Sequence, residues 1–434
     1  MNMRIKGLQV KKSVNMTEGK FKETEIGLIP NDWEIKKIKD TCHQVRESFS
    51  PNENDNRYYI GLEHINENSL TLNGIGSSLD VKSSKLAFKK GHILFGKLRP
   101  YFRKLYRPDF DGVCSTDIFV INGKEGFDNG FLYYFFANPL IIDLATLSSE
   151  GTRMPRASWK YLSELEFAFP SLDEQRAISS VLSSFDDKIE LNNKMNQTLE
   201  EIGQAIFKHW FVHFEFPNEE GKPYKSTGGE MADSDLGEIP KGWEIGKFSD
   251  LIFNIKNPLK PGEHLKNRNY VPIDCLSMKK LSISDFQDYS EAKSSLIAFE
   301  KGDILLGAMR VYFHRVNLAP FPGITRTTTF VLRPKKEYYL SYSIFLLNQN
   351  SSIEYANSHS KGTTMPYAVW ENSLADMPIL MPSELLVKKY DDISSPLLIK
   401  INESVQENQN LKDLRDSLLP KLMSGKIRVS GETK

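Results

Sequence analysis

Cysteine is scarce: Cys42, Cys114 and Cys275 are all that 434 residues contain. No two lie within four positions, so there is no zinc-type pair, and a disulfide scaffold is excluded. So sparse and odd a set suits a reducing compartment. Long apolar runs are lacking too. The opening MNMRIKGLQVKKSVNM has no apolar h-region of the signal-peptide kind. The most apolar stretch, 131–147, carries Asn138, Pro139 and Asp143 and is too short to span a bilayer. The expectation is a soluble, cytoplasmic chain with no membrane partner. Net charge is also missing, since Lys+Arg and Asp+Glu both total 56. A chain that coats nucleic acid all over is excluded; any such binding has to come from local charge segregation.

Catalytic signatures are the next absence. No GxxxxGK[ST] loop is present to cradle a phosphate. Gly74-Ile75-Gly76 starts like a dinucleotide turn but lacks the third glycine and a following long helix. No NPPY- or DPPY-type tetrapeptide of an amino-methyltransferase occurs. His209 and His213 are four apart, but the residues between them include no glutamate of the HExxH kind. No cysteine sits in a recognisable activating context. No catalytic and no metal-ligating residue is assigned, and the gaps favour a binding or scaffold protein over an enzyme.

What is present is written twice. IGLIPNDWEIKKIKD at 26–40 returns as LGEIPKGWEIGKFSD at 236–250. FKKGHILFGKLRPYFRK at 88–104 returns as FEKGDILLGAMRVYFHR at 299–315. GTRMPRASW from Gly151 returns as GTTMPYAVW from Gly362, and RYYIGLE from Arg57, more weakly, as RNYVPID from Arg268. Ordered matches at an offset of roughly 210 residues, about half the chain, mark a tandem duplication rather than a short-period solenoid. With 40% hydrophobic residues, each copy can build a core.

Each copy begins strand-like and turn-rich, with short runs such as 58–62, 92–95, 118–121 and 166–169, interrupted by one helical segment over 130–147. It ends in a proline-free amphipathic stretch, 172–211, with Asp173 and Glu174 at the positive helix start. Residues 185–211 alone would make a helix about 40 Å long. Its apolar positions Ile189, Met195, Leu199, Ile202 and Ile206 are expected to pack against Ile401, Leu411, Leu414 and Leu418 of the second copy's helix. The tryptophans Trp33, Trp159, Trp243 and Trp370 read as core. Residues 217–238 hold six acids and two lysines together with Gly221, Pro223, Gly228 and Gly229, and read as an exposed linker.

Charge is segregated locally. Residues 83–107 hold Lys85, Lys89, Lys90, Lys97, Arg99, Arg103, Lys104 and Arg107 without one acid, and Tyr101, Phe102 and Tyr106 interleave. Lysine and arginine neutralise phosphates, and arginine can read guanine bidentately. The second copy offers Arg310, Tyr312, His314 and Arg315, with Lys256, Lys260 and Arg268 upstream. The candidate DNA-contacting set is completed by Arg57, by Thr152, Arg153 and Arg156, and by Thr363, Thr364 and Tyr367. For Arg99 and Arg310 two readings stand: contact with DNA, or bracing of a loop. The helix 173–211 carries seven acids against four bases and suits a protein partner better than DNA.

These residues together resemble a known family. The openings at Ile26 and Leu236, the GxIL blocks at Gly91 and Gly302 and the GTxMP blocks at Gly151 and Gly362 look like its target-recognition domains. PSLDEQRAI at Pro170, AIFKHWFVHFEF at Ala205 and LLPKLMSGKIRV at Leu418 resemble its helix entry, central region and C-terminal signature. The family is the specificity subunits of type I restriction–modification systems, and the resemblance runs from about Phe21 to Val429.

The resemblance implies an α+β fold: two mixed, strand-rich target-recognition domains separated by two long helices packed as an antiparallel coiled coil. The implied domains are an N-terminal tail 1–20, recognition domain 21–170, helical spacer 171–215, linker 216–235, recognition domain 236–383 and helical spacer 384–434. It implies that each domain reads half of a bipartite, asymmetric site on double-stranded DNA. It implies docking of two modification subunits, which bind S-adenosylmethionine and methylate adenine, and of restriction subunits, which use ATP and magnesium. The chain itself would bind no cofactor and do no chemistry. The alternative is a non-catalytic interaction scaffold that never reads DNA. Two departures are visible. Glu174-Gln175 become Leu386-Val387 in the second copy, and Pro396 is expected to delay or bend its helix. Residues before Phe21 have no counterpart, which leaves Met16 as an alternative start.

Overall fold

The computed structural model describes residues 15–17, 20–149, 153–283 and 285–430. They form two compact units. Unit 1 comprises Met1–Lys188 with Leu411–Lys434, and unit 2 comprises Ile189–Asn410.

Unit 1 is built on the apolar run ILFG. Strand Ile93–Gly96 lies between Leu105–Tyr106 and Ile118–Gly123, with Cys42–Val45 beyond, all antiparallel. Every residue of the run is buried because both faces of the sheet are covered. Alternate residues feed different cores. Ile93, Phe95, Phe119 and Ile121 join the main core, while Leu94, Ile118 and Val120 join a smaller one with Ile60 and Phe88. A five-stranded sheet covers the smaller core, in the order Ser48–Phe49, Lys85–Phe88, Gly112–Cys114, Tyr58–Ile60, Gly76–Ser77.

The main core is roofed by helices α1 (Asn129–Ala137) and α2 (Pro139–Leu147), bent 65° from each other. One helical segment was expected over 130–147, and two are found. Pro139 forces the residue before it into extended backbone, and Asn138 then caps α2 through its side chain. Among the described residues no single helix is long and apolar enough to cross a membrane. The long helix α3 (Leu172–Phe207, 36 residues) starts in this core, with Ile178 and Leu182 buried beside Leu419 and Leu422. The strand Arg428–Ser430 pairs with Asn15–Thr17.

Unit 2 repeats the plan. Ile304–Gly307 sits between Val316–Leu318 and Thr329–Pro334, Ile304 and Leu306 feed the main core, and Leu305 feeds the smaller one. Helices α4 (Tyr339–Leu347) and α5 (Asn350–Ser358) form the roof. The second long helix is α6 (Glu384–Met423, 40 residues).

Pro396 does not delay the start of α6, which runs without a break from Glu384 to Met423. Its missing hydrogen bond costs about 3 kcal/mol. Tyr390, Leu398 and Ile401, all nearly or wholly inaccessible in the core, more than offset that. The departure at Leu386-Val387 is a substitution in place. Glu174 and Gln175 are 7% and 1% exposed, and Leu386 and Val387 are 7% and 2%.

The helices pack antiparallel within each unit. In unit 2 the Asn192 amide donates to Glu407 and Asn408, and the Asn196 amide to the Ile401 carbonyl. In unit 1 Arg415 pairs with Asp186, which also accepts from the Tyr134 hydroxyl. The inward stripe of α3 in unit 2 includes Ile189, Asn192, Asn196, Gly203 and Phe207. Leu199 and Ile206 border it, and Met195 is half-buried. Ile202 was expected in the seam but is 43% exposed, because asparagine and glycine hold buried positions that an apolar count skips. On α6, Ile401 and Leu411 are buried, and Leu414 and Leu418 are half-buried.

Glu200 on α3 accepts from the Ser282 amide. Desolvation pushes its carboxyl up to about 7, against the backbone hydrogen bonds of Leu281 and Ser282 and the charge of Lys280. The folded state then holds a proton that the unfolded chain has already released. Stability of unit 2 is therefore expected to fall as pH rises from about 4.5 towards about 7. Glu200→Gln should flatten that slope, as urea melts near pH 5 and near pH 8 would show. Identical slopes for both proteins would refute the assignment.

Candidate nucleic-acid interface

The two repeated basic–aromatic blocks fold into the same unusual turn. In unit 1 the buried strand Ile93–Gly96 delivers the chain to Arg99, which is left-handed at φ 50, ψ 62. A single 3-10 turn, Pro100–Phe102, follows, and Arg103 is left-handed again at φ 52, ψ 43. In unit 2 Arg310 (φ 50) and His314 (φ 55) flank Val311–Phe313 in the same way. Non-glycine residues avoid this region, and each costs about 1–3 kcal/mol unless its surroundings hold it. Two such residues at equivalent places in both copies mark a built feature.

The neighbouring loop does the holding. The Arg99 amide donates to the Pro155 carbonyl, Ala157 donates to Lys97, and Leu98 bridges Arg156. In unit 2 the Arg310 amide donates to Pro366, Ala368 donates to Ala308, and Met309 bridges Tyr367. The R-x-Y-F turn and the loop residues 154–157 in unit 1 or 365–368 in unit 2, far apart in sequence, are thereby one surface in each unit. Tyr101 is 46% exposed and Tyr312 48%, each ring braced by Phe102 or Phe313 at centroid distances of 4.8 and 4.9 Å. Met154 and Met365 are exposed at 50% and 51%.

Arg99, Tyr101, Arg153 and Arg156 thus come together in unit 1, with Arg99, Arg153 and Arg156 all exposed. Arg156 is held by Asp117, an exposed pair worth at most about 1 kcal/mol and so able to exchange its carboxylate for a phosphate. Lys97 lies over the Phe119 ring, and Arg103 is half-buried. Lys104 turns to the Leu62 carbonyl and Glu67, so it braces a loop. In unit 2 Arg310, Tyr312, Thr363, Thr364 and Tyr367 share the surface, and Lys256 reaches its edge through Glu371. His314 is turned inward instead, 7% exposed and hydrogen-bonded with Asn348. Desolvation lowers its pKa despite that bond, so it stays neutral near pH 7 and adds no positive charge. Arg315 is half-buried over the Phe313 ring. Thr152 lies outside the described residues.

Arg57, Lys260 and Arg268 instead flank the short strands Tyr58–Ile60, Pro258–Leu259 and Asn269–Tyr270. Arg57 pairs with Asp55 and covers the Phe49 ring. It lines a cleft of about 840 Å³ whose Glu47, Asp80 and Asp111 would repel a phosphate. Lys260 is exposed, and Arg268 is half-buried near Glu300. The paired methionines were visible as shared letters of G-T-x-M-P but carry no charge, so composition did not single them out. The left-handed backbone had no signal, since it falls on arginine and histidine rather than glycine.

The cysteines offer no nucleophile. All three are buried, and desolvation pushes each thiol up to about 12. Among the described residues no three His, Cys, Asp or Glu side chains converge on a metal-sized site.

Residues 30–201 match the family described as type I restriction modification DNA specificity domain. The chain is 28% identical to the type I restriction enzyme MjaIX specificity subunit of Methanocaldococcus jannaschii, over 95% of this chain and 97% of that protein. It is 23% identical to the HindI specificity subunit of Haemophilus influenzae, over 92% and 100% of the two chains. A solved S subunit of a type I restriction–modification system from M. genitalium aligns over 92% of this chain and 97% of that one, with 16% identity and a TM-score of 0.49. Residues 30–201 thus match the specificity-domain family of type I restriction–modification systems, and over nearly its whole length the chain is similar to specificity subunits of such systems.

Proposed function

We propose that each unit reads one half of a bipartite, asymmetric site on double-stranded DNA. The carrying observation is that both units present the same strained turn and loop while the side chains around it differ. Arg153 stands opposite Thr364, and Arg156 opposite Tyr367. A common scaffold with divergent base-facing groups suits two different half-sites. In this reading α3 and α6 dock two modification subunits, for which Leu191 and Ile202 on α3 and Ile393 and Ile399 on α6 offer exposed apolar positions. S-adenosylmethionine belongs to those subunits, and ATP and magnesium to the restriction subunits.

The test is to co-express the chain with its modification subunit and map methylated adenines across a genome. Two short specified blocks around a fixed gap are expected. Arg153→Thr with Arg156→Tyr should then change one block and leave the other intact. A contiguous motif, or a change in both blocks, would overturn the reading. Stable complexes without sequence preference would favour the interaction scaffold.

A further inference from the structure

Whatever the two surfaces share must serve something that both half-sites share. The shared groups on these surfaces are few: Tyr101 and Tyr312 with Met154 and Met365, all exposed, and Arg99 and Arg310, exposed and half-buried respectively. Base reading cannot be their common task if the half-sites differ. On the bipartite reading above, on which this inference rests, what the half-sites have in common is an adenine to be methylated. Its reactive nitrogen is out of reach inside the duplex, so the base must leave the stack. The space it vacates has to be held open, and flat or apolar side chains do this when they enter between base pairs.

We propose that Tyr101 and Tyr312 are positioning residues that enter the duplex beside the target adenine in their own half-sites and hold it extruded for the modification subunit. Three observations single out the tyrosines. Each is half-exposed on the middle residue of a one-turn helix, between two left-handed residues that fix its direction. Each ring is braced by the following phenylalanine, Phe102 edge-on and Phe313 tilted at 56°. A tyrosine has only two side-chain torsions to fix on insertion, whereas the exposed methionines are flexible. Arg99 and Arg310, immediately before the turn, are placed to hold the backbone on either side by its phosphates.

The experiment uses the chain in complex with its modification subunit and a duplex carrying 2-aminopurine at one target adenine at a time. Wild type should brighten at both positions. Tyr101→Ala should abolish the signal at the first half-site only and, on a duplex with adenine restored there, slow methylation by roughly 10- to 100-fold. The methylated motif itself should stay unchanged. Tyr312→Ala should do the same at the second half-site. Tyr101→Phe and Tyr101→Trp should retain both signal and rate, because the ring rather than the hydroxyl does the work. Three results would overturn the assignment: full fluorescence in Tyr101→Ala, a Phe variant as impaired as Ala (a phosphate hydrogen bond instead), or a changed base preference (a reader instead). A wild-type complex with no split motif would refute the bipartite reading itself, and the wedge with it. A split motif with an unaffected Tyr101→Ala would refute the wedge alone.

Discussion

Arg428→Met is expected to cost unit 1 about 3–5 kcal/mol of stability, the range for removing one partner of a buried charge pair. The Arg428 guanidinium makes paired hydrogen bonds to Glu174 at 2.6 and 2.7 Å and to Asp32 at 2.6 and 2.9 Å. It also covers the Trp33 ring, whose indole N–H donates to the same Glu174. These bonds hold the Arg428 pKa above its ordinary value and the Asp32 carboxyl below its own. With Arg428 gone, Glu174 stays buried with one neutral donor in place of a cation.

Unit 2 shows the repair. Where unit 1 buries Glu174 beside Trp33, unit 2 buries Leu386, and Trp243 stacks on Phe216 at 5.3 Å. Adding Glu174→Leu to Arg428→Met should therefore recover most of the loss. Urea denaturation of the three proteins measures it. A single variant within about 0.5 kcal/mol of wild type, or a double variant no better than the single, would sink the account.

Gly203→Leu should destabilise unit 2 by about 3 kcal/mol or more, at or above the upper end for overpacking. Gly203 lies on the buried stripe of α3, and a Cβ there would sit 2.1 Å from Phe345 Cζ. Phe345 cannot swing aside, since it is 0% exposed and packed against Tyr390. Glycine in a helix interior normally costs about 1 kcal/mol relative to alanine. Even Gly203→Ala should nonetheless be unfavourable here, because the clash outweighs the propensity. Phe345→Ala opens a cavity costing about 3–5 kcal/mol. Combined with Gly203→Leu, it should lose much less than the two separate losses added together. A double-mutant cycle with no coupling between the two sites would show that they do not share this space.

The duplication was legible because it is a property of order along the chain. ILFG and ILLG, each bounded by glycine, read as strands, and their continuous apolarity followed from a sheet covered on both faces. The long stretch after Leu172 read as a helix by its spacing. The seam of that helix was misread at Ile202, since Asn192, Asn196 and Gly203 occupy buried positions and carry no apolar signal. The amide groups of those asparagines find acceptors on α6, Glu407 and Asn408 for Asn192 and the Ile401 carbonyl for Asn196, which one stretch of sequence cannot display. Pro396 misled for a related reason: local propensity says stop, and burial of the residues around it says continue.

The candidate surface was half visible. Arg99, Tyr101, Arg310 and Tyr312 stood out as repeated letters, yet whether they braced a loop or faced outward stayed open, and Lys104 and His314 looked like their equals. Only the folded chain sends Lys104 to a carbonyl, turns His314 onto Asn348, and joins the R-x-Y-F turn to the G-T-x-M-P loop. Sequence by itself determined two copies, strand-rich heads, long helices and a family resemblance, because periodicity and repetition are local and survive without coordinates. Tertiary structure alone decided which polar groups are buried, which tyrosines are presented and where left-handed arginines are held. Those outcomes depend on what a distant segment places against each residue, and burial, pairing and strain exist only once that segment has arrived.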